Sequence, residues 1–471
     1  METNLLGITT QELLDKFGAG NHKPGSGSAA AFGGMLSAKL LATVISLTNE
    51  KKRRNYYKSA LPKLLKLSDR IETDIFPALT RLFHEDAIQF GRTISAREAR
   101  DNEQNLFLRN KLDIISLEEL KESIEIPFTI SKLCIELAEI SEFVFDNAFQ
   151  SARGDSHVAL STAVAGIAGC LSIINLNLIS FGKNYKNWAS TKIAAALKLK
   201  ETYQKLNNTA IIKIEILETE VIRSQELYEK ADELIEKARS KGKLSDVEIE
   251  NTAKELQNLI WKYRDVIWNK NVPDHPANIL RPDKAIKKVL DYEFAVTEKI
   301  GLLTDNGKYS NIAGLINQNE KIILISDEYD KKIQNFTAAH ELGHALFHEQ
   351  TVMHRDRPLN GSRRSGPKTI QEQQADKFAS YFLMPKKEVV REFIELFGQD
   401  KFIINEQNSF DLIRESPAKL MKKTKNLRDL SLKIASTTRF ANRNFLSLSE
   451  LFNVSNTAMA IRLEELGLVE F

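Results

Sequence analysis

The chain has 471 residues, more than one hydrophobic core usually serves, so two or three domains are expected. Apolar content of 42% and charged content of 27% are those of a soluble globular protein, and a formal net charge of +3 gives no compositional case for a nucleic-acid or membrane partner. Two cysteines, Cys134 and Cys170, sit in apolar helical patterns without a second ligand at metal spacing; they read as buried free thiols and exclude a disulfide framework. The opening "METNLLGITTQELLDKF" has no basic segment followed by an apolar core, so no secretory leader is expected and the protein reads as cytoplasmic.

Residues 1–205 read as almost wholly helical, with apolar residues at helical spacing in 35–47, 60–92, 127–150 and 158–181. The uncharged run 158–182 is long enough to cross a bilayer. It also holds Asn175, Asn177 and several Ser and Thr, and it lacks an aromatic belt, so it reads as a helix buried in a bundle. Near the start, "KPGSGS" is a glycine-rich loop entering a helix, where backbone N–H groups can hold an anion. No Gly-Lys-Ser/Thr follows it and no strand precedes it, which excludes a P-loop and a dinucleotide fingerprint.

The stretch "TTQELLDKFGAGNHKPGSGSAAAFGGMLSAKLLATVISLT", with "HEDAIQF" and "HVALSTAVAGIAGCLSIINLNL", resembles the cyclodeaminase/cyclohydrolase family over about residues 8–205. The resemblance implies an all-helical, usually dimeric domain with a pocket for a folate-like ligand, built here from Gly25, Ser26, Gly27, Ser28 and Asp86. Known members remove ammonia from formimino-tetrahydrofolate or hydrolyse the methenyl form. Two departures stand out: Ser26 replaces a middle glycine, and Ser161-Thr162 stands where the family commonly has Ser-Asp. Losing that carboxylate removes an acid/base or ligand contact, which Asp155 is the nearby residue to replace. The expectation is a domain that keeps the fold and serves as a small-molecule sensor or a dimerisation module, ahead of an active folate enzyme.

Residues 206–268 are rich in Glu and Lys with a sparse apolar stripe, broken at Gly242 and restarted by a capping box, Ser245 with Glu248. They read as a helical hairpin linker that joins two domains or pairs with another subunit. Three prolines in 269–285 mark a boundary. Then "SNIAGLINQNEKIILISDEY" alternates around Asn317-Gln318-Asn319 and predicts a β-hairpin.

The helix that follows carries "HELGHALFH". Residues four apart share a helix face, so His340 and His344 can turn ring nitrogens to one metal ion while Glu341 reaches a water on that metal. His348 lies eight residues from His340, roughly 12 Å along the axis, too far to join them on one ion; it supports the ligands from behind, faces the substrate or, the favoured reading, is structural. In "IQEQQADKFASYFLMP", Glu372 is the expected third ligand and Asp376 the group that takes the free ring N–H of a ligand histidine. Asp376 itself is the alternative ligand; His354 and Asp356 are weaker ones. The strand "KIILIS", 321–326, is placed to pair with an extended substrate.

These two motifs in order, with the ending "LSELFNVSNTAMAIRLEELGLVEF", resemble the ImmA/IrrE family of metallo-endopeptidases over roughly 270–471. The resemblance implies a gluzincin-like fold, Zn2+ held by His340, His344 and Glu372, and Glu341 as catalytic base. It also implies cleavage of a helix-turn-helix repressor in response to a stress or a mobile-element (phage) signal. Gln374 departs from a glutamate common in the family. The basic stretch before the last helices allows a DNA-binding reading, disfavoured against helices that pack on the peptidase.

The whole therefore reads as a multidomain protein: an all-α domain (1–205), a helical hairpin linker (206–268) and an α+β gluzincin-like metallopeptidase domain with C-terminal helices (269–471). The expected activity is zinc-dependent proteolysis of a regulatory protein, gated by a cyclodeaminase-like domain that also makes a homodimer. The alternatives are a folate-dependent cyclodeaminase or cyclohydrolase with an accessory zinc domain, and a DNA-binding regulator.

Overall fold

Helix-forming sequence dominates the first half, and the computed structural model, which describes residues 5–20, 23–240, 244–268, 272–298, 300, 302–305, 308–349, 354–356 and 369–471, shows seven helices there. They are α1 (Thr10–Gly18), α2 (Ser26–Asn49), α3 (Leu61–Arg70), α4 (Phe76–Asn102), α5 (Leu106–Asn147), α6 (Arg153–Leu178) and the long α7 (Lys186–Arg239). The chain divides into two compact units, Met1–Glu218 and Thr219–Phe471.

In the first unit α2, α4, α5 and α6 pack around one apolar core. Small residues let them close up: a Cβ on Gly166 of α6 would stand 3.0 Å from Cys134 Sγ of α5 and 3.2 Å from the Ala30 carbonyl of α2. The core of α5 contains Pro127, which has no N–H to give the carbonyl of Ser123 one turn back. Asn177 of α6 donates its amide to that carbonyl at 3.2 Å. The polar residue inside an apolar run thus caps a defect in its neighbour, a bond worth about 1 kcal/mol. By length and composition Ser26–Asn49 and Gln150–Leu178 could each cross a membrane, and half of each such window is buried within the bundle.

The second unit begins inside α7. After Thr219 that helix runs against α8 (Asp246–Lys262), whose start is the Ser245–Glu248 capping box. Their sparse stripes, Leu227, Ala231 and Leu234 with Ile249, Ala253 and Leu256, join the same core as the helix that carries His340 and His344. The segment expected as a linker is therefore, from residue 219 onward, part of a folded core. Its apolar stripe is narrow because only one side of each helix is covered.

Short helices α9 (Arg264–Trp268), α10 (Pro276–Ile279) and α11 (Pro282–Lys288) lead into strands β1 (Glu293–Thr297), β2 (Leu302–Asp305), β3 (Lys308–Asn311), β4 (Gly314–Asn317) and β5 (Ile322–Ser326). The expected hairpin is β4 and β5, antiparallel with Gly314 opposite Ile325 and Asn317 opposite Ile322. Helix α12 (Lys331–Phe347) follows, then β6 (His354–Asp356) and α13 (Ile370–Leu383). The sheet order is β1-β5-β4-β6, with β1 parallel to β5 and the other pairs antiparallel. This corrects one expectation: β5 already has a neighbour on each side, so it has no open edge for a substrate strand. Among the described residues the edges of this sheet are β1 and β6.

The remainder, α14 (Lys386–Phe397), β7 (Phe402–Ile403), α15 (Glu406–Ile413), α16 (Pro417–Lys423), α17 (Leu427–Ala435), β8 (Arg439–Phe440), β9 (Arg443–Asn444), α18 (Leu448–Leu451), α19 (Asn456–Glu465) and β10 (Val469–Glu470), shares that core. Buried Arg462 of α19 donates to the Met384 carbonyl at the end of α13, which ties the last helices to that one.

Candidate metal centre

Helix α12 starts at Asp330, whose side chain accepts the Lys332 N–H, and lies between the sheet and α13. It is buried on all sides from Thr337 onward, and His340, Glu341 and His344 are 0% exposed. Groups like these are kept inside a protein only when something there satisfies them. Helix α13 crosses close because residue 343 is glycine: a Cβ there would stand 3.1 Å from Phe378 Cδ1 and 3.2 Å from Ala375 Cα. Phe378 and Phe382 stack at 5.7 Å and hold that face, a pairing worth about 0.5–1.5 kcal/mol beyond burial. Two contacts fix the helices from behind. Arg239 donates to the Ala345 carbonyl at 2.8 Å, and the Gln257 amide donates to the carbonyls of Tyr381 and Phe382.

The crossing brings Glu372, in the first turn of α13 where a carboxylate suits the helix dipole, over the two histidines. His340 Nε2 and His344 Nε2 are 3.0 Å apart. Glu372 Oε2 is 3.6 Å from the first and Oε1 3.5 Å from the second. Among the described residues, His340, His344 and Glu372 form a group able to hold a metal ion. Ligand atoms about 2 Å from one tetrahedral ion are roughly 3.3 Å apart, so two imidazoles and one carboxylate at these separations fit zinc and leave a position for water. Asp376, the alternative ligand, sits on the other side of the ring: its Oδ1 is 3.0 Å from His340 Nδ1. That leaves the Nε2 of His340 to face the centre.

Glu341 lies between the two histidines along the helix and faces β4. A Cβ on Gly314 would overlap its carboxylate and the Thr337 methyl, so only glycine leaves room for that carboxylate. His354 and Asp356 stand on β6, opposite Ile316 and Gly314 in the strand register. His348, expected to be structural, is 6% exposed, and its Nδ1 is 2.9 Å from His344 Nδ1. Its Nε2 is 3.0 Å from Gln374 Oε1. The sequence points to no site role for Gln374, Gly314 or Gly343, and places Gln318 only in the hairpin turn. The available signals were a glycine at the head of a strand, another inside an apolar helix, and a glutamine beside Ala375 of the α13 apolar face.

In the first unit the glycine-rich loop and Asp86 do come together. The Ser28 N–H donates to Asp86 Oδ2 at 2.7 Å, and the Ser28 hydroxyl lies 2.9 Å from the same oxygen and 3.0 Å from the Phe83 carbonyl. A Cβ on Gly27 would fall on the Asp86 carboxylate. Burial pushes the Asp86 pKa up, against the two Ser28 bonds, which pull it down. Asp155, the residue named for the missing late-helix carboxylate, lies in the first turn of α6, about two turns before Thr162. Helices α2 and α6 are antiparallel, with Ala30 facing Gly166 and Gly169, so Asp155 lies about 20 Å along α6 from the level of Ser28.

Residues 9–195 match the family described as formiminotransferase-cyclodeaminase, and residues 299–409 match a peptidase family described as the IrrE N-terminal-like domain. The chain is similar to the methenyltetrahydrofolate cyclohydrolase of Methylorubrum extorquens, 25% identical over 171 residues, which are 36% of this chain and 78% of that protein. It is also similar to the crystal structure of formiminotetrahydrofolate cyclodeaminase from Thermotoga maritima, with 16% identity and a TM-score of 0.36, over 44% of this chain and 98% of that one. The chain thus carries a cyclodeaminase-like domain followed by an IrrE-like peptidase domain.

Proposed function

We propose that this chain is a zinc-dependent endopeptidase that cuts a regulatory protein, with its N-terminal domain acting as a sensor or dimerisation module that gates the cut. The observation that carries the reading is the convergence of His340 Nε2, His344 Nε2 and Glu372 beside a buried Glu341. His340, His344 and Glu372 would hold the ion, which when bound makes water a stronger acid and polarises a peptide carbonyl. Glu341 takes the proton of the attacking water and returns it to the leaving amine. Asp376 keeps His340 in the tautomer that presents Nε2. The substrate class is a helix-turn-helix repressor, the compartment the cytoplasm and the assembly a homodimer through the first unit; these rest on the likeness of the two domains to their families.

The test compares new protein N-termini in cells expressing the native chain or Glu341→Gln. Termini found only with the native chain name the substrate. Identical profiles under every stress tried would count against proteolysis.

A second reading, a folate-dependent cyclohydrolase or cyclodeaminase, is favoured by one observation: the Ser28–Asp86 cluster lies within the part matched by the cyclodeaminase family. Incubating the full chain with methenyl-tetrahydrofolate and following its absorbance decides it, and no turnover above buffer ends it.

A further inference from the structure

We propose that His348 is a positioning residue that sets the ring tautomer of His344, and that Gln374 in turn sets the tautomer of His348. The proposal rests on the reading of His340, His344 and Glu372 as metal ligands.

The argument is one of counting protons. Gln374 presents Oε1 to His348 Nε2 at 3.0 Å, and a carbonyl oxygen only accepts. His348 Nε2 therefore carries a hydrogen. A neutral imidazole has one such hydrogen, so His348 Nδ1 bears a lone pair. That atom is 2.9 Å from His344 Nδ1, which must then be the donor. With its hydrogen on Nδ1, His344 has a lone pair on Nε2, the atom that faces His340 Nε2 and Glu372. The chain Gln374, His348, His344 ends where a metal ligand needs to be unprotonated.

The arrangement is built to hold. His348 ends α12 and is buried, and its ring is 5.0 Å from that of His344. The Gln318 amide, from the turn after β4, donates to the carbonyls of both His344 and His348. The two ligand histidines thus reach one tautomer by different means. His340 is held by a carboxylate, Asp376, and His344 by a neutral ring that adds no negative charge beside the centre. The spacing that bars His348 from the ion, eight residues from His340, is what puts it behind His344.

The experiment measures zinc affinity by chelator competition on the full chain and on His348→Phe, His348→Asn and Gln374→Leu. Phe keeps much of the ring volume and removes the acceptor; the Asn Oδ1 sits on Cγ, as the ring Nδ1 does, and can accept in its place. His348→Phe should weaken zinc binding about 10- to 100-fold, His348→Asn should recover most of that loss, and Gln374→Leu should fall between them. With 15N-labelled histidine, the native chain should show the His348 hydrogen on Nε2 and a 15N–15N coupling across the bond between the two Nδ1 atoms. Equal affinity in native and His348→Phe, or no rescue by Asn, overturns the proposal; so does a hydrogen on His348 Nδ1. Should His348→Phe fail to fold by circular dichroism, the coupling in the native chain decides. A native chain that takes up no zinc would sink the metal reading alone, and the same coupling would still judge the relay.

Discussion

Each unit holds a partly buried carboxylate beside the start of a helix, and the two are in opposite situations. Asp86 meets donors: the Ser28 N–H and hydroxyl of α2 close on its Oδ2. Glu372 meets two imidazole Nε2 atoms able to bind a metal, with Asp376 behind one ring and His348 behind the other. In the first cluster the carboxylate already takes both Ser28 donors, and an anion arriving there would have to displace the protein's own carboxylate. The second brings three electron-rich atoms together, which is stable when a cation lies among them. Both are carboxylates close to the start of a helix, and what faces the carboxylate decides whether it closes a fold or opens a site.

Substitutions can break that contrast, and the largest effect is expected at the base. Glu341→Gln should cut peptide cleavage about 10²- to 10⁴-fold while metal content, read by mass spectrometry, stays that of the native chain. Gly314→Ala comes next: its Cβ would push the Glu341 carboxylate aside, and a misplacement near 1 Å costs roughly 10²-fold in rate with zinc still bound. Cleavage at the native rate would mean that β4 does not set the position of the base. Gly343→Val should act on stability instead, overpacking the α12–α13 crossing by about 1–3 kcal/mol in denaturant unfolding. The smallest effect sharpens the other side of the comparison. Burial raises the Asp86 pKa, so the folded chain holds that proton more tightly than the unfolded chain does. Its contribution to stability is greatest below the ordinary aspartate range and declines as pH rises through that range to the raised value. Thermal unfolding across this window should show the decline in the native chain, and Asp86→Asn should flatten it.

Local signals were legible in the sequence where a single element carries them. The capping box of α8, the β4–β5 hairpin and the face of α12 with His340 and His344 follow from spacing, because neighbours along the chain settle them. The parallel pairing of β1 with β5 was not legible, since a parallel register is set by what packs above the sheet. Nor were the His348–Gln374 bond and the room that Gly314 leaves for Glu341, each of which joins residues 26 or more apart. The Asn177 bond to Ser123 is the same case: a proline on one helix explains an asparagine on another. The segment 206–268 reads as a connector because its stripe is thin, and from residue 219 onward that thin stripe packs on the large core of the second unit.

Both cysteines of the chain are in the bundle of the first unit, buried together in its core. Burial pushes the Cys134 thiol up to about 12 and raises Cys170 as well, so neither offers the thiolate that reacts with alkylating reagents. In an opened bundle they would return to the ordinary thiol range, about 8.5, and react within the time of an experiment. The rate of thiol labelling is therefore a gauge, native to the chain, of how often its first unit opens, and it does not report on the second.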